Sequence, residues 1–378
     1  MIRKKLIIII LIILINIFIS QRFCNLVSFN YKRTLNIIKG SNKEKYFGKS
    51  VCLSYDGKSL AVGAWGYDNN KGLVKFYRKN TNNYLEISKY VGNQQNYYSG
   101  TVVCLSGYGK YIAFDTHNKI LFGDSNNITN FYKVHNFIKK FNRISISLNY
   151  TATIIAIGNP SYNNNAGIVL IYNITNKNNF ENIFKLEGKY FNNNFGYSVS
   201  LNNTGTVIAI ASKTKKRGVV HLYEISTKYK PKKLYNFVVN DAFTNGSAIS
   251  ISLSGDGLTL AIGVPGFINK LGNIKVYELD TFKKIFEAFG RNFGDCFGNS
   301  VSLSKDGEIL AVGASGYRNN TGQVKIFKCK ENKVNNIIFE TEGTDENDYY
   351  GISISLSGNG RTVAIGASGN RLVTIKNF

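Results

Sequence analysis

Proline is nearly missing from this chain, with 3 residues in 378. That excludes collagen-like and proline-rich low-complexity architectures and leaves turn formation to glycine, asparagine and aspartate. Histidine is equally scarce: His117, His135 and His221 are the only three, and they stand in separate stretches of chain. No Cys/His group has zinc-site spacing, and no glycine-rich phosphate loop joins a strand to a helix. Five cysteines in a chain of this length form no disulfide framework. Acidic residues number 23 against 47 basic ones, a formal net charge of +24. Such an excess attracts polyanions in principle. Yet the chain also holds 49 Asn and abundant Ile and Tyr, which share AT-rich codons with Lys, so a compositional bias accounts for much of it.

Apolar residues make up 43% and charged ones 19%, enough for a packed core and too apolar for a mainly disordered chain. Only one long apolar run exists. Leu6 to Ile19 is broken only by Asn16 and follows Arg3, Lys4 and Lys5. As a helix it would rise about 21 Å, short of the roughly 30 Å hydrocarbon core. A secretory signal peptide over residues 1–20 is therefore expected. Phe18 is bulky for the cleavage site, so an uncleaved anchor is the alternative. Residues 21–29 read as a linker and 30–378 as one folded unit. The ending Lys376-Asn377-Phe378 has no lipid-anchor pattern. The expectation is a secreted or cell-surface protein with no membrane span in its mature chain.

An internal repeat organises that unit. Leucine recurs at Leu53, Leu105, Leu148, Leu201, Leu253, Leu303 and Leu356, at spacings of 52, 43, 53, 52, 50 and 53. Ten residues after each leucine stands Gly63, Asp115, Gly158, Ala211, Gly263, Gly313 or Gly366. Val51-Cys52-Leu53 and its equivalents alternate large and small residues, as a strand does; this is strand A. A tight turn such as Asp56-Gly57 leads to strand B, Leu60 to Ala64. Strand C follows a glycine, as in Gly72 to Tyr77, and strand D is looser, as in Tyr84 to Ile87. Four antiparallel strands per repeat predict an all-β, seven-bladed β-propeller. The last repeat stops after strand C, while Thr34 to Gly40 resembles a strand D. The N-terminal strand is thus expected to complete the last blade and close the ring.

These repeats resemble the FG-GAP family, whose best-known members are the propeller heads of integrin alpha chains. Phe47-Gly48, Phe195-Gly196 and Phe297-Gly298 supply the Phe-Gly element; Gly63-Ala64, Gly263-Val264-Pro265 and Gly313-Ala314 supply variants of Gly-Ala-Pro. Blades 2 and 3 depart most: Phe141-Asn142-Arg143 replaces Phe-Gly, and the Thr116-His117-Asn118 hairpin is short. The resemblance would bring calcium to the A–B hairpins, but calcium needs six to eight oxygen ligands. Each hairpin here offers one acid at most, Asp56, Asp256 or Asp306. No metal and no cofactor is expected, and these aspartates read as turn residues.

Connectivity places the D–A and B–C loops on one face and the A–B and C–D loops on the other. The long, variable loops are D–A and B–C, so a partner should meet that face. Candidate contact residues are the B–C aromatics Trp65, Tyr67, Tyr162, Phe267 and Tyr317; packing between blades is their structural alternative. Tyr97, Tyr98, Tyr349 and Tyr350 in the D–A loops are expected to continue the Phe-Gly packing. Sequons at Asn127, Asn149, Asn173, Asn202, Asn245 and Asn319 permit glycosylation and are no more than composition would scatter. The lysines around 213–217 and 228–233 fall on opposite faces, so nucleic acid is not the expected partner. The leading reading is a non-enzymatic, monomeric adhesion-type module binding protein or glycan through the D–A/B–C face. The alternatives are a hydrolase or lyase with its site at the central channel, and a membrane-anchored luminal scaffold.

Overall fold

Alternation of large and small side chains on strands buried from both sides dictates the architecture. In a computed structural model, which describes residues 35–378 apart from 128–129, 138–142, 177, 215–216, 240–248 and 331–335, the strands form seven four-stranded antiparallel sheets. The expected signal peptide, the linker, Cys24 and Asn245 lie outside the described residues. In blade 1 the strands are Ser50–Leu53, Ser59–Ala64, Leu73–Asn80 and Asn83–Val91. Strand B is buried along its whole length because it lies between two neighbouring blades, whereas strand D is largely exposed. Leu60, Val62 and Ala64 pack toward blade 7, against Ala364, Val373 and Ile375. Ala61, on the opposite side, packs with Ile112 and Phe114 of blade 2. Large on small fills each wedge at close-packed density.

The seventh blade is Tyr350–Leu356, Thr362–Ala367 and Leu372–Asn377, completed by Leu35–Lys39 from the other end of the chain. That last pairing is antiparallel, from Leu35↔Lys376 to Lys39↔Leu372. Among the described residues no helix is long and apolar enough to cross a membrane.

Three sets of hydrogen bonds knit the blades around the axis. The small residue before each leucine accepts from the leucine N–H of the next blade. Ser147 Oγ receives Leu201 N–H (2.9 Å), Ser200 Oγ receives Leu253 (2.9 Å), Ser252 Oγ receives Leu303 (3.0 Å) and Ser302 Oγ receives Leu356 (3.0 Å). Sulfur does the same at Cys52, for Leu105 (3.2 Å), and at Cys104, for Leu148 (3.3 Å). Ser355 Oγ then accepts from Leu53 at 2.8 Å and closes the circle. These side chains are acceptors as well as the small fillers that the alternation predicts. The A–B hairpins form a second closed ring through their backbones, in which Gly358 N–H donates to Tyr55 O at 2.8 Å across the junction of blades 7 and 1.

The Phe-Gly element makes the third set. Its glycine has φ near +83° at Gly48 and Gly196, and its carbonyl accepts the serine that opens strand A of the preceding blade. Ser50 Oγ donates to Gly100 O (3.0 Å) and Ser353 Oγ to Gly48 O (2.8 Å). The same carbonyl presses on strand B. A Cβ added to Gly313 would lie 2.1 Å from Gly351 O, which explains the glycine ten residues after most of the leucines.

Candidate functional site

The B–C loops are built from asparagine. In blades 1, 3, 5 and 6 three successive residues adopt positive φ between 37° and 65°: Asp68 to Asn70, Asn163 to Asn165, Ile268 to Lys270 and Arg318 to Asn320. Asparagine tolerates this left-handed region better than other non-glycine residues, and it fills eight of these twelve positions (69, 70, 163, 164, 165, 269, 319 and 320). Each turn then holds the following D–A loop. Tyr98 N–H donates to Asn70 O (2.8 Å), Asn194 to Asn165 O (2.7 Å), Cys296 to Lys270 O (2.8 Å) and Tyr349 to Asn320 O (2.7 Å). The B–C and D–A loops are therefore one hydrogen-bonded surface. Part of the asparagine excess thus has a conformational role beyond composition. The readable sign is an aromatic followed five residues later by glycine, as in Tyr67–Gly72, Tyr162–Gly167, Phe267–Gly272 and Tyr317–Gly322.

The candidate contact aromatics do not share one environment. Trp65 stacks on Tyr46, with centroids 4.2 Å apart and planes at 11°, and meets Tyr98 at 5.8 Å. Tyr67 packs against the core between blades 7 and 1, and Phe267 against the core between blades 4 and 5. Tyr317 is buried between blades 5 and 6. Tyr162 is 37% exposed. Of the D–A tyrosines, Tyr350 takes the buried Phe position beside Gly351, whereas Tyr97 stacks on His117 at 4.7 Å and Tyr349 is exposed. At that position blade 2 uses Ser99-Gly100.

Tyr162 opens into a cavity of about 830 Å³ between blades 2 and 3, within the usual size range of small-ligand pockets. Its wall comes from His135 to Phe137 of blade 2 and from Asn159, Asn163, Tyr172, Asn182 and Lys185 of blade 3, among others. Two departures from the regular blades lie in blades 2 and 3, which wall it. The B–C hairpin of blade 2 has only His117 and Asn118 between its strands, Tyr111–Thr116 and Lys119–Asp124. The third residue of strand C is lysine in blades 1, 5 and 6 but Leu170 in blade 3. Lys75 there pairs with Glu44 (2.8 Å) and Glu86 (3.0 Å), and Lys275 with Glu287 (3.9 Å). Leu170 ends in a methyl surface instead.

Hydrogen bonding and charge define the chemistry of that cavity. His135 Nδ1 lies 2.6 Å from the Tyr172 hydroxyl. Burial lowers the His135 pKa and raises that of Tyr172, so both are neutral near pH 7. Lys185 Nζ stands 5.7 Å from the Tyr162 ring centroid and pairs with Glu187 at 2.7 Å. An aromatic face, several carboxamides and a neutral His–Tyr pair suit a ligand that is uncharged and rich in hydroxyl groups.

The central channel differs at its two ends. At the A–B end a cavity of about 140 Å³ is ringed by the seven leucines, with Tyr55, Tyr150, Asn203 and Lys305. Its lining holds no histidine, cysteine or carboxylate. At the other end, Asp115 occupies the position that is glycine or alanine in the remaining blades. It is 2% exposed; it accepts from Thr101 Oγ1 and from Val102 N–H at 2.9 Å, and burial raises its pKa to about 6. Those bonds make it a structural carboxylate. His221 is also fully engaged: Nε2 meets Ser212 Oγ at 2.9 Å and Nδ1 meets Asn236 Oδ1 at 2.8 Å.

The turn aspartates serve the backbone. Asp56, Asp256 and Asp306 each accept through Oδ1 from the N–H two residues on, at 2.9, 2.9 and 3.0 Å. Among the described residues no group of three or more His, Cys, Asp or Glu is placed to hold a metal. Cys52, Cys104, Cys296 and Cys329 are free thiols. Asn149 and Asn202 are 2% and 4% exposed and bond the backbone of their own hairpins, so a glycan there would have to displace the turn. Asn127 and Asn319 are exposed and Asn173 is half-buried. No protein-family model matches the chain, and no curated protein matches it.

Proposed function

We propose that this propeller is a non-enzymatic interaction module, secreted or displayed at a surface, that binds a glycan or a glycan-bearing protein through its D–A/B–C face. It is read as a variant of the FG-GAP propellers without their calcium loops, on the strength of Phe47-Gly48, Phe195-Gly196 and Phe297-Gly298. One observation carries the binding reading. Tyr67, Phe267 and Tyr317 are packed into interfaces between blades, whereas their equivalent Tyr162 stands in an open cavity among carboxamides. A hydroxyl-rich ligand would stack on that ring and exchange hydrogen bonds with Asn136, Asn159 and Asn182.

A glycan array probed with the purified chain, followed by titration of each hit against Tyr162→Ala, tests the proposal. Removing an anchoring aromatic from the centre of a site costs about 2 kcal/mol or more, a loss of roughly thirtyfold in affinity. Trp65→Ala, in the same face but stacked on Tyr46, gives the comparison. If Tyr162→Ala binds every hit as tightly as the native chain, the cavity is not the site.

A further inference from the structure

Around the channel axis, the residue four positions before each repeat leucine opens strand A at the D–A end: Lys49 in blade 1, Thr101, Ile144, Tyr197, Ile249, Asn299 and Ile352. Two cations gather on one side of this mouth. Arg143 precedes Ile144, and its guanidinium carbon lies 5.2 Å from the Tyr197 ring centroid. Lys213, the last residue of strand B in blade 4, places Nζ 4.6 Å from the same centroid.

Gathering like charges in a partly desolvated place is unfavourable unless something opposes it. Among the described residues Arg143 forms no ion pair with a carboxylate. Asp115 is committed to Thr101 and Val102. The Tyr197 ring offsets part of the repulsion by cation–π attraction, while its hydroxyl is enclosed without a hydrogen-bond partner. Burial, followed by the charge of Arg143, lowers the pKa of Lys213 to about 8. Each of these features is relieved by one multivalent anion with several acceptor oxygens.

We propose that Arg143 and Lys213, gathered about Tyr197 at the D–A mouth of the channel, form a binding site for a sulfate- or phosphate-type oxyanion. This site is separate from the cavity at Tyr162 and does not depend on how that cavity is read. The formal charge of +24 would raise local anion concentration over the whole surface, so position must be tested as well as charge.

The test uses the full chain in Tris chloride buffer, with inorganic sulfate in one titration and a sulfated oligosaccharide in the other. Thermal shift and calorimetry are the readouts. The native chain should bind at least one of them, with a raised melting temperature. Arg143→Gln and Lys213→Gln should each weaken binding tenfold or more, and Arg143→Lys should recover part of it. Lys228→Gln, in the C–D loop on the opposite face, should bind as the native chain does. Saturation by inorganic sulfate assigns a free ion to the site, and response to the oligosaccharide alone assigns a sulfated chain. The proposal is overturned if neither anion binds, or if Lys228→Gln loses as much affinity as Arg143→Gln. Because Arg143→Gln also removes repulsion, it should melt no lower than the native chain without anion; a lower melting point would show that the cluster serves stability instead.

Discussion

Replacing Ser355 by alanine tests whether the ring of small residues holds the propeller or merely fills it. Ser355 Oγ accepts the N–H of Leu53 at 2.8 Å, joining residues 302 positions apart across the closing junction. Leu53 is 5% exposed, so the orphaned donor could not recover a water partner without disturbing the packing. An unsatisfied buried donor costs about 1–3 kcal/mol. Unfolding entropy of about 2.1 cal/mol/K per residue gives roughly 0.7 kcal/mol/K for a folded unit of this size. The expected fall in melting temperature is therefore roughly 1.5–4 °C. Ser355→Cys supplies the internal control, because Cys52 and Cys104 already accept the same bond through sulfur at 3.2 and 3.3 Å. It should recover most of the loss in differential scanning calorimetry. Ser200→Ala, at an interior junction with the same 2.9 Å bond, should cost a similar amount. Equal shifts for Ser355→Ala and Ser355→Cys, or none for either, would refute the hydrogen-bond account and leave packing alone.

Burial lowers the His221 pKa to about 4, below its ordinary value near 6.5; the unfolded chain therefore takes up a proton first, and the stability His221 gives is complete above about pH 6.5 and lost as pH falls toward 4. The urea midpoint should drop over that interval, and His221→Gln should flatten the drop in part, since His135 is shifted in the same direction; an unchanged slope would remove His221 from the account. Deleting residues 35–39 should lower the melting temperature by only a few degrees and leave the radius of gyration unchanged, because Leu35 and Ile37 are 53% and 58% exposed and only Ile38 reaches the core. The bare edge Leu372–Asn377 should then favour self-association, visible as concentration-dependent scattering; an expanded monomer would mean that the ring had opened.

The blade count, the strand order and the N-terminal closing strand were legible because they follow from spacing and alternation, which local sequence carries. The role of Ser355 and its equivalents was only half legible. A small residue beside a leucine announces close packing, but the bond from Ser355 to Leu53 joins different blades, and no local pattern encodes its direction. For the same reason, sequence presents Leu35–Lys39 as the closure, whereas closure is shared with the Gly358–Tyr55, Ser353–Gly48 and Leu53–Ser355 bonds nearer the axis. The left-handed B–C turns were hidden by composition, since asparagine is common everywhere in the chain. Tyr162 could be named as a B–C aromatic, but its exposure depends on what blade 2 leaves uncovered.

Several departures from the repeat fall in blades 2 and 3. Asp115 stands where most blades need glycine, Phe141-Asn142-Arg143 where Phe-Gly is expected, and Leu170 where three blades have lysine; the shortened hairpin at His117 lies in the same sector. In a regular blade the Phe-Gly carbonyl presses on the neighbouring strand B, as Gly351 O does beside Gly313, and side chains there are consumed by packing. In this sector Asp115 is buried in strand B of blade 2, Arg143 lies against the Tyr197 ring and Tyr162 lines a cavity. This sector brings Tyr162, the His135–Tyr172 pair and carboxamides to one cavity, and Arg143, Lys213 and Tyr197 to one mouth.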